Sequence, residues 1–165
     1  MNYAKIVPCD IANGEGVRVT LFVQGCDHHC PGCQNPTTWN AATGIPFVED
    51  TMQELLDLIR PNYVRGLTVS GGDPLFVQNR LIVGYICERV RKEFGDTKDI
   101  WMWTGYEWDD IKDWDHLKYV DVLVDGPYIE AQRDISLPWA GSRNQRVIDV
   151  KQSMKKNEIV LWKEN

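Results

Sequence analysis

A short loop near the start of the chain carries three cysteines, Cys26, Cys30 and Cys33, in a Cys-x3-Cys-x2-Cys spacing. Iron–sulfur clusters are held by cysteine thiolates, and a cubane cluster whose irons are all bound by protein needs four of them. Three thiolates leave one iron open, and an open metal position is typical of catalytic rather than structural sites. The spacing therefore predicts a cluster that binds a further ligand at its open iron and reacts with it.

Two other uses of these cysteines stay open on the residues alone. The thiols could form a Cys3His zinc site with His28 or His29, but structural zinc sites usually take ligands from two separated pairs, and the chain has no second pair. A reactive-cysteine or redox role is the other alternative. The histidines are expected to be exposed loop residues, either of which could hydrogen-bond near the cluster.

The remaining cysteines and the overall composition indicate a cytoplasmic protein. Cys9 and Cys87 lie far from the loop, and free cysteine is often buried, so we expect both in the interior. Five cysteines in a chain without a signal peptide favour a reducing compartment, where clustered cysteines are more often metal ligands than disulfides.

Size and charge exclude several classes of protein. The chain has 165 residues, 43% of them hydrophobic, which fits a single domain with one core. Its net charge of −6, with no basic stripe, argues against nucleic-acid binding. No stretch approaches the ~20 apolar residues of a membrane helix. We expect one domain over 1–165, with a core over about 2–146 and a variable tail over 147–165.

Strands and helices alternate along the chain around the cysteine loop. Strands are predicted at 17–23, 67–70, 100–104 and 120–124. Helices are predicted at about 51–60, 82–94 and 107–114. Thr51 and Glu54 have the spacing of a capping box for the first helix, and Gly95 ends the second.

Such alternation implies parallel βαβ units, whose functional site forms at the carboxyl ends of the strands. The cysteine loop follows the first predicted strand, so the loops after the later strands should face it. Four predicted strands are too few for a closed eight-stranded barrel, which takes about 250 residues. The sequence therefore predicts an α/β fold, a partial, splayed (β/α) barrel with a mostly parallel sheet.

The cysteine motif resembles that of the radical S-adenosylmethionine (SAM) superfamily, and further segments resemble its glycyl-radical-enzyme activases. Those segments are Cys33-Gln-Asn followed by Trp39, SGGDPL over 70–75, WMWTGY over 101–106, VLVDG over 122–126 and GSRNQR over 141–146. The WTGY and GS-x-NQR segments narrow the resemblance to the activases of anaerobic (class III) ribonucleoside-triphosphate reductases. The resemblance implies a partial barrel of the radical SAM type.

The resemblance also implies a reaction. A [4Fe–4S] cluster on the three cysteines binds SAM through its open iron, and one electron from a flavodoxin-type donor cleaves SAM to methionine and a 5′-deoxyadenosyl radical. That radical takes a hydrogen atom from a glycine Cα of the reductase large subunit and leaves a stored glycyl radical. The tasks of the protein are then binding, orientation and exclusion of side reactions.

By the same resemblance, the strand-end loops supply the SAM contacts. Two glycines in the turn after the second predicted strand let the backbone approach the methionyl amine closely. The candidate SAM-binding residues are Gly71, Gly72, Asp73, Thr104, Asn144 and Arg146. Pro127 and Ala140 stand where some relatives have Lys and Arg. Any contact with SAM or substrate that Lys and Arg make in those relatives must therefore be made by other residues here.

The segment before the first predicted strand is a candidate docking loop for the glycine-bearing peptide. Its candidate residues are Asp10, Asn13, Gly14, Gly16 and Arg18, and an ordinary glycine-rich loop is the alternative. Two rival functions also stay open. One is a radical SAM reaction on a small substrate, as in 7-carboxy-7-deazaguanine synthases, and the other is a non-enzymatic metal-binding module. The WTGY and NQR segments argue against the first, and the GGDP turn argues against the second.

Overall fold

The computed structural model describes residues 1–163, which form one open sheet of seven strands with four α-helices. In chain order the elements are β1 (Asn2–Asp10), β2 (Val17–Val23), β3 (Ile45–Pro46), α1 (Glu49–Ile59), β4 (Val64–Gly71), α2 (Arg80–Phe94), β5 (Asp99–Trp103), α3 (Trp108–Ile111), β6 (Val122–Asp125), β7 (Arg146–Asp149) and α4 (Val150–Lys156). The strand order across the sheet is β3-β1-β2-β4-β5-β6-β7.

The centre of the sheet is parallel and its margins are antiparallel. Strands β2, β4, β5 and β6 run parallel to one another. Strand β1 pairs antiparallel with β2 and β3, and β7 pairs antiparallel with β6. The predicted mixed α/β fold with a parallel core is confirmed, and the sheet does not close on itself.

The two faces of the sheet have different chemistry. One face packs against the helices in a single apolar core, which includes Val19, Leu21, Leu67, Val69, Ile100, Met102, Leu123 and Ile148. On the opposite face, Thr20 lies beside Thr68, and Thr68 lies beside Trp101 in the strand register. These three side chains are fully buried. The second face is therefore a covered interior that carries polar and aromatic groups.

The predicted helices are present, but the capping box is wrong. Helix α1 begins at Glu49 after Val48, whose side chain makes no capping hydrogen bond, so Thr51 lies inside the first turn. Two acidic residues in that turn, Glu49 and Asp50, interact favourably with the positive end of the helix dipole instead. Helix α2 ends at Gly95, as predicted, with a φ of 57°.

The sheet extends beyond residue 146. Strand β7 adds residues 146–149 to its edge, and helix α4 follows directly. Leu161 then forms an isolated antiparallel bridge with Ile148, and the Trp162 amide donates to the Val147 carbonyl at 2.8 Å. The tail thus contributes to the edge of the sheet. Across residues 1–163, no helix has the length and apolar character needed to cross a bilayer.

Candidate active site

A cavity of about 340 Å³ lies at the carboxyl ends of the parallel strands. Each of those strands contributes the loop that follows it, and the loop between β1 and β2 closes another side. The cysteine loop follows β2, and the Gly71-Gly72-Asp73 turn follows β4. The prediction that the later strand-end loops face the cysteines is confirmed.

All three loop cysteines line this cavity. Cys26, Cys30 and Cys33 are half-buried free thiols. Local hydrogen bonds shape the loop, because the Cys33 amide donates to the Cys30 carbonyl at 3.1 Å and the Asn35 amide donates to the Cys33 Sγ at 3.4 Å. Burial raises the pKa of the Cys26 thiol to about 11. Ligation by a cation is what holds such a thiol in its deprotonated form.

The donor set fits an iron–sulfur cluster better than a single metal ion. Among residues 1–163, no three His, Cys, Asp or Glu side chains converge closely enough to hold one ion, which a tetrahedral zinc site requires. In a cubane cluster each thiolate binds a different iron, so the thiols need only line a common space. Cys26, Cys30 and Cys33 do so, and the rest of the cavity leaves room for a second ligand.

The glycine turn after β4 is hydrogen-bonded to the start of the cysteine loop. The Gly72 amide donates to the Val23 carbonyl at 2.8 Å, and the Asp73 amide donates to the Gly25 carbonyl at 2.7 Å. A Cβ atom at Gly72 would lie 2.4 Å from the Gly25 oxygen, so no larger residue fits there without a shift. Gly71 has a φ of 109°, a region that favours glycine. The two loops are thus in direct backbone contact.

Asp73 joins three of the strand-end loops. Its carboxylate is only 1% exposed and accepts hydrogen bonds from the Leu75 amide at 2.8 Å and the Gly105 amide at 2.8 Å. The Thr104 hydroxyl donates to the same carboxylate at 2.9 Å. The His28 Nε2 atom lies 3.0 Å from Asp73 Oδ2. The loops that follow β2, β4 and β5 therefore meet at the buried carboxyl group of Asp73.

His28 is more buried than expected, and its ring lies inside the site. The ring packs edge-on against Tyr106, with centroids 4.6 Å apart. The Asp73 carboxylate beside the ring raises the pKa of His28. His29, by contrast, packs edge-on against Trp39 at 4.8 Å and does not line the cavity. Nothing in the local sequence separates the two histidines, because the partner of His28 lies 45 residues further along the chain, at position 73.

Comparison with known proteins agrees with this geometry. Residues 12–148 match the family described as a 4Fe-4S single cluster domain. The chain is 49% identical over 147 residues to the anaerobic ribonucleoside-triphosphate reductase-activating protein of Enterobacteria phage T4, covering 89% of this chain and 93% of the relative. The proteins of the same name from Haemophilus influenzae and Escherichia coli K12 are 44% and 41% identical, covering 88% and 89% of this chain and 96% and 97% of the relatives.

The chain belongs to the family of anaerobic ribonucleoside-triphosphate reductase-activating proteins. The 4Fe-4S match covers all three loop cysteines and also the Gly71-Gly72-Asp73 turn. Four of the candidate SAM residues of this activase, Gly71, Gly72, Asp73 and Thr104, line the cavity together with the thiols.

The other two candidates for SAM contact do not line the cavity of the activase. Arg146 pairs with Asp125, with its Nε 3.0 Å from Oδ1. The Asn144 amide nitrogen donates to the Pro127 carbonyl at 2.7 Å. Gln145, between them, does line the cavity. Arg146 begins β7, whereas Asn144 and Gln145 lie in the turn before it, so the hydrogen bonds of that turn set the directions of their side chains.

Gln145 organises the loop that forms the far wall of the cavity. Its side-chain oxygen accepts from the Gly141 amide at 2.8 Å, and its nitrogen donates to the Gly126 carbonyl at 3.0 Å. The same loop carries Trp139, whose carbonyl accepts from the Trp103 indole at 2.9 Å. Sequence reasoning selected Asn144 and Arg146 in this loop and missed Gln145, because the loop has no regular periodicity from which the directions of its side chains could be predicted.

The candidate docking loop divides into a cavity-facing part and an anchor. Asn13 lines the cavity, and its amide nitrogen donates to the Asp10 carboxylate at 2.6 Å. Arg18 is fully buried beneath the loop, and its Nη2 atom lies 2.6 Å from the Asp99 carboxylate. Its guanidinium therefore faces the interior of the activase and holds the loop in position. Gly14 has a φ of 115° and packs directly over Arg18.

Proposed function

We propose that this protein activates an anaerobic ribonucleoside-triphosphate reductase as a radical SAM enzyme. The observation that carries the proposal is the meeting of three free thiols with the Gly71-Gly72-Asp73 turn in one cavity at the carboxyl ends of parallel strands. The names of relatives that match almost the whole chain support the choice of reductase.

The residues present fit a [4Fe–4S] cluster and SAM. Cys26, Cys30 and Cys33 would hold the cluster. When bound, the cluster and SAM supply reductive cleavage of SAM and abstraction of a hydrogen atom from a glycine Cα of the reductase. The chain itself binds and orients the reactants and excludes water. Orientation matters because a misplacement of about 1 Å can cost about a hundredfold in rate.

The strand-end loops have distinct tasks in this proposal. The backbone of Gly71 and Gly72 approaches the methionyl part of SAM, since neither residue has a side chain to keep it away. Asp73 fixes the shape of that turn through its hydrogen bonds, and Thr104 holds the β5 end against it. Asn144 and Arg146 lie behind the cavity wall and support it, and Arg146 does so by pairing with Asp125.

The loop over 10–18 is proposed to receive the glycine-bearing segment of the reductase. Asp10, Asn13, Gly14 and Gly16 shape its outer part, and Arg18 anchors it from below. The whole chain then acts as one domain, whose open sheet has the role of a partial (β/α) barrel of the radical SAM type. Parallel strands ending at one cavity support that arrangement.

A flavodoxin-type protein is proposed as the electron donor, and the cytoplasm as the location. A thiol-bound cluster suits a reducing compartment, where cysteines stay free of disulfides. The net charge of −6 supports a protein partner rather than nucleic acid or an anionic membrane surface.

The decisive experiment mixes the anaerobically reconstituted and reduced protein with SAM and a purified anaerobic ribonucleotide reductase. A glycyl radical, seen by electron paramagnetic resonance, is expected on the reductase together with stoichiometric methionine release. Stoichiometric zinc in place of iron, without SAM cleavage, would contradict the proposal. SAM cleavage without a radical on any glycyl radical enzyme tested would favour a small-molecule substrate.

A further inference from the structure

The contact between His28 and Asp73 links the middle of the cysteine loop to the glycine turn. His28 lies two residues after Cys26 and two residues before Cys30. We propose that His28 is a positioning residue, which acts through Asp73 to set the cluster-binding loop at the correct distance from the Gly71-Gly72 turn. This inference rests on the proposed function, and it predicts an effect of His28 on SAM binding rather than on cluster retention.

His28 is held at Asp73 by its surroundings. Its buried Nε2 atom lies 3.0 Å from Asp73 Oδ2, within ion-pair distance, and makes no hydrogen bond of good geometry with any of residues 1–163. The imidazole also packs closely against Gly105, which follows β5. A Cβ atom at Gly105 would lie only 2.4 Å from the His28 Cδ2 atom. Together with the edge contact to Tyr106, these neighbours leave the ring little freedom.

Asp73 is a fixed anchor rather than a mobile partner. Its carboxylate is held by the Leu75 and Gly105 amides, each at 2.8 Å, and by the Thr104 hydroxyl at 2.9 Å. Three donors on two different loops therefore set its position independently of His28. Because His28 contacts this fixed carboxylate, the contact sets the position of the cysteine loop relative to the sheet.

The loop has little else to hold its middle part. Its first residues are fixed by backbone bonds, since the Cys26 amide donates to the Trp39 carbonyl at 3.1 Å. Within the stretch of residues 27–32, the other side-chain bond to the body of the protein is a 3.4 Å contact between Asp27 and the Tyr106 hydroxyl. Loss of the His28 contact would thus leave all three thiols present but free the loop to tilt away from the glycine turn.

Two substitutions of His28 and one matched control test this role. His28→Phe keeps a ring against Gly105 and Tyr106 but removes the nitrogen that faces Asp73. His28→Gln places an amide nitrogen at about the same reach as Nε2. His29→Asn removes the neighbouring imidazole, whose ring contacts Trp39, and Asn tolerates the positive φ of 46° at that position.

The measurements are iron and sulfide content, the melting temperature and the dissociation constant for SAM under anaerobic conditions. All variants should retain about four irons per chain, the content of one cubane cluster. His28→Phe should raise the dissociation constant for SAM about tenfold, the loss expected when one buried polar contact with a carboxylate is removed. His28→Gln should recover most of that loss, and His29→Asn should bind SAM like the unmodified protein.

A double substitution tests whether His28 acts through Asp73. In an Asp73→Asn background, adding His28→Phe should change SAM affinity by less than about twofold, because the two residues share one contact. A further tenfold loss would overturn the proposal. If Asp73→Asn fails to fold, as its melting curve would show, the comparison of His28→Phe with His28→Gln decides the question.

Other outcomes separate this inference from the proposed function. Wild-type affinity for SAM in His28→Phe, or loss of its iron, would overturn the positioning role while leaving the activase function intact. Failure of the unmodified, cluster-loaded protein to bind SAM would contradict the proposed function itself.

Discussion

At the residue scale, the five cysteines occupy three environments. Three of them line the cavity, and Cys87 lies in the core side of α2, where burial raises its pKa to about 12. Cys9 is exposed on β1, so the expectation that it is buried is wrong. Pro8 and Cys9 are both exposed, and they lie where the pairing of β1 with β2 is irregular, between Val7 and Asp10.

Replacing any one of Cys26, Cys30 or Cys33 by Ala should abolish SAM cleavage and lower the iron content, because each thiolate binds a different iron. Cys9→Ala and Cys87→Ala should keep full cleavage activity. The buried Cys87→Ala change should cost roughly 1 kcal/mol of stability through loss of packing. Iron analysis and methionine release measure the first effect, and thermal unfolding measures the second. Full cleavage by a variant of one loop cysteine would contradict the ligand assignment.

Gly72 lies where the glycine turn meets the cysteine loop. In Gly72→Ala the new methyl group would lie 2.4 Å from the Gly25 carbonyl oxygen and 2.8 Å from that of Thr38. These are backbone atoms that cannot move aside locally, so the two loops must separate. SAM cleavage should fall by about a hundredfold or more, as expected for a misplacement near 1 Å. Normal cleavage by a folded Gly72→Ala protein would show that the loop spacing is not critical.

At the scale of elements, the loop between β1 and β2 is held from inside the sheet. Arg18 on β2 donates to the Thr68 hydroxyl at 2.7 Å and to the Leu67 carbonyl at 2.8 Å, both on β4. The Thr68 hydroxyl in turn donates to the Asn13 carbonyl at 2.7 Å. The cavity wall at Asn13 is therefore attached to the parallel strands through one hydroxyl group.

Thr68→Val should destabilise this loop, because it leaves the Asn13 carbonyl and the Arg18 Nε without their partner. The expected cost is about 1–3 kcal/mol of unfolding free energy, with faster proteolysis within residues 11–16. Thr20→Val is a matched control, since Thr20 lies beside Thr68 in the register and is equally buried, and among residues 1–163 its hydroxyl has no hydrogen bond of good geometry. Equal destabilisation by both variants, measured by denaturant unfolding, would refute the anchoring role.

At the scale of the whole molecule, two loops that line the cavity expose apolar side chains. Ile135 is 88% exposed and belongs to the loop whose Leu137 lines the cavity, and Ile11 is 74% exposed beside Ala12, which also lines it. A glycine on another protein can reach the cavity only if that protein packs against the loops around it. Exposed apolar groups at such a position suit a docking surface.

Ile135→Asp should therefore raise the KM for the reductase about tenfold, the effect of losing one central apolar contact, while SAM cleavage without reductase stays unchanged. Tyr63→Asp serves as the control, because Tyr63 is 66% exposed but directly precedes β4, at the opposite end of the parallel strands from the cavity. Steady-state activation assays over a range of reductase concentrations measure both. Equal effects of the two variants would rule out the loops around the cavity as the docking surface.

Prediction from sequence succeeded where the signal was local. Strands β2, β4, β5 and β6 were predicted because each is a short apolar run before a glycine-containing loop. Strands β1, β3 and β7 were missed. Strand β1 contains Pro8 and charged residues and has irregular register with β2, β3 is two residues long, and β7 is a short strand at the edge. Such strands form because a neighbour offers free hydrogen bonds, which periodicity does not reveal.

By itself, the sequence determined the three clustered thiols, the order of the elements around them and the resemblance to radical SAM activases, since these depend on spacing along a few residues. The tertiary structure alone decided which distant residues meet. It brought His28, Thr104 and the buried Asp73 together, turned Arg18 inward and directed Arg146 to Asp125, away from the cavity. The register of strands far apart in the chain sets these contacts, and no local pattern encodes that register.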